Sequence, residues 1–507
     1  MGLRREGAAG EPPVDTLGNV AEYHVENFGC RASRSDGESI GAILRHRGLA
    51  AARQPADADV VIVNTCSVTA EADRQARAFL RRVRRLNPRA RVIVTGCYAQ
   101  RAPHELVALP EVDAVVGNSH KAKVADLAAD YVMAPPDQPM AGFVAASALA
   151  PAVFVDDTFA HSELSALPFA AGSQQTRPNL KVQDGCGNRC SFCIIPTTRG
   201  HSRSVSIDLA LEDVRRFVDL GGQELVLSGI NLGRWGRDLA GGRRFEDLVS
   251  AILRETALPR LRLSSIEPMD WSPGLLSLYR EFATGEDSES AGINAVAGAP
   301  TTPGDLLNAE RCALNAAFPR LARHTHLPLQ SGSDTILRRM HRRYRPWHYA
   351  ERLAQIRALL PDAAIGADVM IGFPGETDLL FQQSYDFIAA QPFTYLHLFP
   401  FSARPGTPAW ELHQQHPVPA SAVRERMESL RRLIADKSRA FRSRFLGRVL
   451  SAVTVEAGPD ATTEAVADNF LKITLRETLP ANRMVLAVID GLTPDGLRGS
   501  LLPEPVS

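Results

Sequence analysis

The chain has 507 residues, of which 45% are hydrophobic and 22% charged, and its formal net charge is zero. That length excludes one ordinary core and implies about two to four domains, while the composition excludes a disordered chain. Zero net charge excludes a uniformly basic coat but leaves room for a local basic face. The seven cysteines are not preceded by a secretory segment, and no apolar run is long enough to span a bilayer. A reducing cytoplasm, no membrane association and cysteines used as metal ligands rather than disulfides are the expectation.

Residues 1–20 are polar with Gly and Pro and read as a flexible tail. Residues 21–132 alternate strands and helices, which implies a parallel sheet. Three strand-like runs each end in a cysteine: Tyr23–Gly29 before Cys30, Val60–Thr65 before Cys66, and Arg91–Gly96 before Cys97. Helices are expected over Ser39–Arg47 and Ala72–Leu86, the second with Ala76, Leu80, Val83 and Leu86 as one buried stripe. A single cysteine at a strand end is most often a small buried hydrophobe. Three at equivalent ends, on the edge where parallel sheets bind ligands, point to a metal site with Cys30, Cys66 and Cys97 as ligands.

Residues 133–176 are rich in Ala, Pro and Gly and read as a linker, with one short ordered piece near Ala152–Phe159. From 177 to 445 the pattern repeats strand then helix about six times, with strands at Leu180–Gln183, Glu224–Ser228, Arg260–Ser265, Thr325–Leu329, Ile365–Ile371 and Tyr395–Phe401. Six repeats fit an open (βα)6 partial barrel. Directly after its first strand stands Cys186-Gly187-Asn188-Arg189-Cys190-Ser191-Phe192-Cys193. Three thiolates at this spacing suit an iron–sulfur cluster with one iron left open. A zinc knuckle is the alternative, but no fourth Cys or His falls at zinc spacing nearby.

Polar and glycine residues recur at the other strand ends: Ser228, Gly229 and Asn231, then Glu267, Gln330, Gly372 and Gly375. Together they read as a ring around a cosubstrate, in which glycine lets backbone approach a ligand closely. The alternative for the Gly372–Glu376 stretch is a turn that simply demands Gly and Pro. Residues 281–317 interrupt the repeat and read as an inserted loop, with Cys312 as a spare thiol.

An arginine-rich helix over Ser421–Phe445 closes this region, and five short alternating runs in 446–507 suggest a small OB-like β-barrel. Arginines also cluster at Arg81–Arg85 and Arg338–Arg343. They read either as solvated helix faces or as a phosphate-binding track. The fold class expected is therefore α/β multidomain: a parallel α/β domain, an open partial barrel and a small β-barrel.

The cysteine loop resembles the signature of the radical S-adenosylmethionine (SAM) superfamily. Phe28-Gly29-Cys30, Asn64-Thr65-Cys66-Ser67-Val68-Thr69 and Thr95-Gly96-Cys97-Tyr98-Ala99-Gln100 resemble the amino-terminal domain of its methylthiotransferase family. Ala467-Asp468-Asn469-Phe470-Leu471-Lys472-Ile473 resembles the TRAM module, which binds tRNA; a plain packing domain is the alternative. The resemblance implies two 4Fe–4S clusters, one on Cys186, Cys190 and Cys193 that cleaves SAM and an auxiliary one on Cys30, Cys66 and Cys97 that carries sulfur. It implies methylthiolation of carbon 2 of a purine by hydrogen abstraction and sulfur insertion.

Asp73-Arg74-Gln75-Ala76-Arg77, Val182-Gln183-Asp184-Gly185-Cys186 and Cys193-Ile194-Ile195-Pro196 resemble the branch acting on N6-threonylcarbamoyladenosine at tRNA position 37. The implied partners are a tRNA anticodon stem-loop, an electron donor such as flavodoxin or ferredoxin, and a sulfur donor. Rival readings are the branches acting on N6-isopentenyladenosine in tRNA or on a ribosomal-protein aspartate, and an RNA-bound, non-catalytic iron–sulfur redox sensor. One departure stands out: the family has Asn three residues after the first cysteine, where this chain has Ser33, so a hydrogen bond near the auxiliary cluster is expected to be unmade or water-filled.

Overall fold

The computed structural model describes residues 20–67, 69–133, 151–156, 176–284, 318–458 and 461–502. The tail expected before residue 20, Val68, most of the expected linker, and residues 285–317 with Cys312 lie outside the described residues. The chain divides into two compact units, Met1–His161 with Thr197–Arg199, and Ser162–Pro196 with Gly200–Ser507.

The first unit is built on a wholly parallel sheet. Its strands are β1 (Glu22–Asn27), β2 (Ala50–Ala51), β3 (Val60–Thr65), β4 (Arg91–Gly96), β5 (Ala114–Gly117) and β6 (Ala152–Phe154), in the order β2-β1-β3-β4-β5-β6. Alternate residues of the central strands enter two cores. Val61, Val63, Val92, Val94 and Val115 pack on one face, and Val60, Ile62, Ile93, Ala114 and Val116 on the other. Strands covered on both faces read as near-continuous apolar runs, which is why β3 and β4 were visible in the sequence.

Helix α1 (Arg31–His46) starts eight residues earlier than Ser39. Its first half buries Ser33, Ser35, Asp36 and Gly37, so the apolar period that marks a helix is absent there. Gly37 lies against Asn27, whose Oδ1 would stand 1.8 Å from an added Cβ. Helix α2 (Ala70–Leu86) is capped by Thr69 Oγ1, which accepts from the Ala72 amide at 3.2 Å, and carries Glu71 and Asp73 in its first turn. Ala76, Leu80 and Val83 are buried as expected, but Leu86 is 51% exposed. The helix ends there, and Asn87 turns back to donate to the Ala56 and Ala58 carbonyls. Helices α3 (Cys97–Arg101) and α4 (Lys123–Met133) add to the cover, with the short helix Pro103–Val107 packing Leu106 on one face.

In the second unit six parallel strands form an open arc. They are β7 (Asn179–Asp184), β9 (Glu224–Gly229), β10 (Arg260–Leu263), β11 (His324–His326), β12 (Ala364–Ile371) and β13 (Tyr395–Pro400), with a short antiparallel β8 (Arg203–Ser204) beside β7. The halves β10-β9-β7-β8 and β11-β12-β13 meet through a parallel bridge between Leu261 and Leu321 and the Ile266 amide donating to the His326 carbonyl at 3.0 Å. Helices α5 (Ile207–Asp219), α6 (Phe245–Glu255), α7 (Pro346–Leu359) and α8 (Asp378–Ala390) lie between the strands in sequence, and α9 (Ala420–Ser443) follows them. Leu211, Leu248, Leu353 and Ile388 from these helices share one core with the strands.

A closed five-stranded barrel ends the chain: β14 (Val449–Ala457), β15 (Thr463–Ala467), β16 (Lys472–Leu475), β17 (Met484–Leu492) and β18 (Leu497–Leu501). It plugs the amino-terminal end of the open arc. The turn Asp468-Asn469-Phe470 between β15 and β16 is the plug, with Phe470 held at φ +68°. Its ring lies 4.4 Å from His324, centroid to centroid, and under the guanidinium of Arg262. Asp468 pairs with both arms of Arg323, and Arg262 donates to the Asp468 and Ala467 carbonyls. Beneath it, fully buried Glu224 accepts from Arg177 Nε at 2.7 Å and from Arg262 Nε and Nη2 at 2.7 and 3.2 Å. Arg260 Nη1 lies 3.7 Å from the same carboxylate, and its Nη2 donates to Ser451 Oγ.

Candidate cluster and cosubstrate site

All three cysteines of the first unit lie just beyond the carboxyl ends of adjacent strands. Cys30 caps α1 after β1, Cys66 follows β3, and Cys97 opens α3 directly after β4. Glycines make the approach possible. Gly29 has φ +110°, and an added Cβ would stand 2.7 Å from Cys66 Sγ; Gly96 has φ +97°, and its Cβ would meet the Thr65 carbonyl at 2.3 Å. Positive φ and no room leave glycine as the residue that fits. Cys66 and Cys97 are buried and Cys30 is exposed.

Polar groups surround these sulfurs. Asn118 Nδ2 donates to Cys97 Sγ at 3.5 Å and to the Thr198 carbonyl at 2.8 Å. Ser33 Oγ lies 3.7 Å from Cys30 Sγ and accepts from Arg199 Nη2 at 3.4 Å. Ser33 itself is partnered, its side chain met by an arginine arm and its carbonyl by Asn64 Nδ2 at 2.5 Å; the expected unmade bond falls on the neighbouring Asn64 Oδ1, which is buried without a protein partner. Asp36 neutralises that region, pairing with Arg199 at 3.0 Å and Lys121 at 2.5 Å.

In the second unit the loop after β7 turns at Gly185, φ +73°, where a Cβ would press on the His201 carbonyl at 2.0 Å. The Cys186 amide donates to the Gly200 carbonyl and the Cys193 amide to the Cys190 carbonyl, closing the loop on itself. Cys186 Sγ accepts from the Asn188 amide at 3.4 Å and from Asn231 Nδ2 at 3.6 Å, while Cys190 Sγ accepts from Arg342 Nη1 at 3.3 Å. Burial pushes the Cys190 thiol up, against the pull of Arg342, and pushes Cys193 up to about 12, with the nearby Cys190 and Cys186 adding to the effect. Raised thiols such as these become thiolates beside added positive charge, which coordinating iron supplies. Among the described residues no three His, Cys, Asp or Glu side chains converge closely enough for a single metal ion. Three cysteine thiols brought to one loop are the donor set that suits an iron–sulfur cluster with one open iron.

The strand-end residues divide into two groups. The Asn231 amide donates to Gln183 Oε1 at 2.7 Å and its side chain turns to Cys186, leaving Oδ1 buried without a protein partner. Gln330 sits at φ +66° with its amide on the Asp368 carbonyl, and its Oε1 is likewise buried and unpartnered. Two such acceptors at one rim fit a cosubstrate bearing amine or hydroxyl donors. Ser228 Oγ instead bonds the Leu180 carbonyl, and a Cβ on Gly229 would meet Gln183 at 3.0 Å. Gly372 and Gly375 have φ +78° and +76°. The Gly372 amide bonds Glu376 Oε2 and the Gly375 amide bonds the His416 carbonyl, so both serve the turn directly. Glu267 is held by Arg342, a residue the sequence reading placed in a basic run. Arg342 is buried while Arg338, Arg339 and Arg343 around it are exposed, and nothing in the run itself distinguishes it.

Residues 22–117 match the family model described as Uncharacterized protein family UPF0004, and residues 180–388 match the Radical SAM superfamily. A Bacillus subtilis protein named Threonylcarbamoyladenosine tRNA methylthiotransferase MtaB is 31% identical over 90% of this chain and 91% of its own length. The chain belongs to the radical SAM tRNA methylthiotransferase family. A same-named protein of Aquifex aeolicus is 31% identical over 85% of this chain and 92% of its own. A Chloroflexus aurantiacus protein named tRNA-2-methylthio-N(6)-dimethylallyladenosine synthase is 30% identical over 98% of this chain and 91% of its own. Among solved structures, the radical SAM methyltransferase TsrM of Kitasatospora setae shares the fold, with TM-score 0.50 at 15% identity over 78% of each chain. Members of this methylthiotransferase family transfer a methylthio group and use SAM with two 4Fe–4S clusters, the second of which the UPF0004 segment accommodates. Among the described residues no helix is long and apolar enough to cross a membrane.

Proposed function

We propose that this methylthiotransferase converts N6-threonylcarbamoyladenosine at tRNA position 37 to its 2-methylthio derivative. The observation that carries the reading is the pair of three-cysteine sets, each at the carboxyl edge of a parallel sheet, together with the threonylcarbamoyladenosine specificity in the names of the Bacillus and Aquifex relatives. Cys186, Cys190 and Cys193 would hold the cluster that works with SAM, and Cys30, Cys66 and Cys97 the auxiliary one. When bound, these groups supply a primary alkyl radical able to take hydrogen from an unactivated carbon, and the sulfur that replaces it.

The chain's own residues do the positioning. Asn231 and Gln330 offer buried acceptors to the SAM donors, and Asn118 and Ser33 hold the auxiliary sulfurs. The terminal barrel is the proposed grip on the anticodon stem-loop, in the cytoplasm. A flavodoxin or ferredoxin would deliver electrons, and a separate donor would renew the sulfur.

The dimethylallyladenosine name of the Chloroflexus relative favours one second reading, the same chemistry on N6-isopentenyladenosine. Mass spectrometry of tRNA nucleosides from a deletion strain decides. Loss of the methylthio form of threonylcarbamoyladenosine is expected. Loss of methylthio-isopentenyladenosine, with the other intact, overturns the choice.

A further inference from the structure

Arg342 uses its whole guanidinium fork inside the second unit. Nη1 donates to Cys190 Sγ at 3.3 Å, Nη2 to Glu267 Oε1 at 2.6 Å, and Nε to Tyr344 Oη at 3.1 Å. The Tyr344 ring lies beneath it, 4.9 Å from ring centroid to guanidinium carbon, and the Tyr344 hydroxyl donates to the Pro328 and Leu329 carbonyls. Those carbonyls lie just before Gln330. Arg342 is only 7% exposed, so its charge acts at short range and little screened. Lysine has the charge but not the planar fork that reaches three partners at once.

We infer that Arg342 is a positioning residue that ties the ligand Cys190 to the cosubstrate rim at Glu267 and sets the reduction potential of the cluster held there. This rests on the proposed ligand role of Cys186, Cys190 and Cys193. Reduction adds one electron, from an external reductant, and breaks no bond. A cation and hydrogen-bond donor on a ligand sulfur stabilise the more negative, reduced state. Glu267 opposes this by neutralising the same guanidinium. The two residues therefore pull the potential in opposite directions, which a purely structural ion pair does not do.

The test uses full-length chain in which Cys30, Cys66 and Cys97 are replaced by alanine, so that the remaining iron reports on one cluster. Potentials are measured by EPR after equilibration with dithionite and mediator dyes. Arg342→Gln is expected to retain iron and move the potential to a more negative value. Glu267→Gln, which leaves Arg342 in place and un-neutralised, is expected to move it to a more positive one. Arg342→Lys should recover part of the first shift. Release of 5′-deoxyadenosine without tRNA should fall roughly tenfold or more in Arg342→Gln. Should Arg342→Gln lose its iron, the upward shift in Glu267→Gln decides by itself.

Unchanged potentials in the iron-loaded variants, or shifts of the same sign in both, overturn the inference. If Cys190→Ala keeps its full iron, the ligand assignment fails and this inference falls with it. If Cys190→Ala loses iron while both potentials match the parent, the assignment stands and only the role of Arg342 is refuted. None of these readings depends on which tRNA nucleoside is modified.

Discussion

Replacing Glu224 by glutamine should loosen the plug between the open arc and the terminal barrel. The carboxylate is fully buried and accepts three hydrogen bonds of 3.2 Å or less from Arg177 and Arg262, with Arg260 at 3.7 Å. Glutamine keeps one acceptor oxygen but turns an amide donor toward arginine donors, and it leaves two buried guanidinium charges under-neutralised. Breaking a buried pair from one side costs about 3–5 kcal/mol. With a urea slope of roughly 3 kcal/mol per molar for a body of this size, the midpoint should fall by about 1–1.7 M.

The pH dependence gives a second handle on the same residue. Burial acts to raise the Glu224 carboxyl, but the charges of Arg262 and Arg177 outweigh it and hold it well below the ordinary carboxylate range. A depressed carboxylate contributes stability above its unfolded pKa of about 4.3, and that contribution fades as pH falls toward the folded value. The gap between parent and Glu224→Gln should therefore be full at neutral pH and narrow below about pH 4. Urea unfolding of full-length protein, followed by circular dichroism at neutral pH and at pH 3.5, measures both. A neutral-pH midpoint shift under about 0.2 M, or a gap that widens in acid, would refute the reasoning. Adding an apolar partner, as in Glu224→Leu with Arg262→Met, should recover part of the loss.

Gly29→Ala places a Cβ 2.7 Å from Cys66 Sγ at φ +110°, so iron content should fall toward that of the variant lacking Cys30, Cys66 and Cys97. That triple variant should itself hold about half of the roughly eight irons that two four-iron clusters give; full iron by colorimetric assay would count against the site. Gln330→Gly removes a positive-φ strain of about 1 kcal/mol and should stabilise the chain slightly in thermal unfolding, while weakening SAM binding by calorimetry. Asn118→Leu removes the amide donor to Cys97 and should shift the EPR signal of the auxiliary cluster without loss of iron; an unchanged signal would show that the contact is idle.

The sequence was most legible where burial follows a simple period. Val60–Thr65 and Arg91–Gly96 are covered on both faces, and their cysteines follow directly. It was least legible where polar residues are buried. The first half of α1 hides because Ser33, Ser35 and Asp36 face inward, toward groups such as Asn64, Lys121 and Arg199 that lie far away in the chain. Arg260-Leu261-Arg262-Leu263 alternates like a strand with one wet face, yet both arginines are buried because the terminal barrel covers them. Arg342 is hidden for a related reason: only the fold distinguishes a buried arginine from its exposed neighbours. Of the ring expected at the strand ends, Asn231 and Gln330 leave acceptors open, whereas the backbone of Gly372 and Gly375 is occupied by the turn.

The buried turn Asp468-Asn469-Phe470 also bears on the proposed role of the terminal barrel as a tRNA grip. A domain tethered by a loose linker searches a wide volume and loses orientational entropy when it engages. Here the turn is bolted to the arc by Arg262, Arg323 and the His324 ring, so that loss is already met during folding. Whatever the terminal barrel grips is presented to the rest of the second unit at a fixed distance and angle. If the barrel is the tRNA grip proposed above, discrimination between targets can arise from length alone, as with a ruler: a tRNA whose reactive atom falls short of the rim, or past it, would be held without being modified.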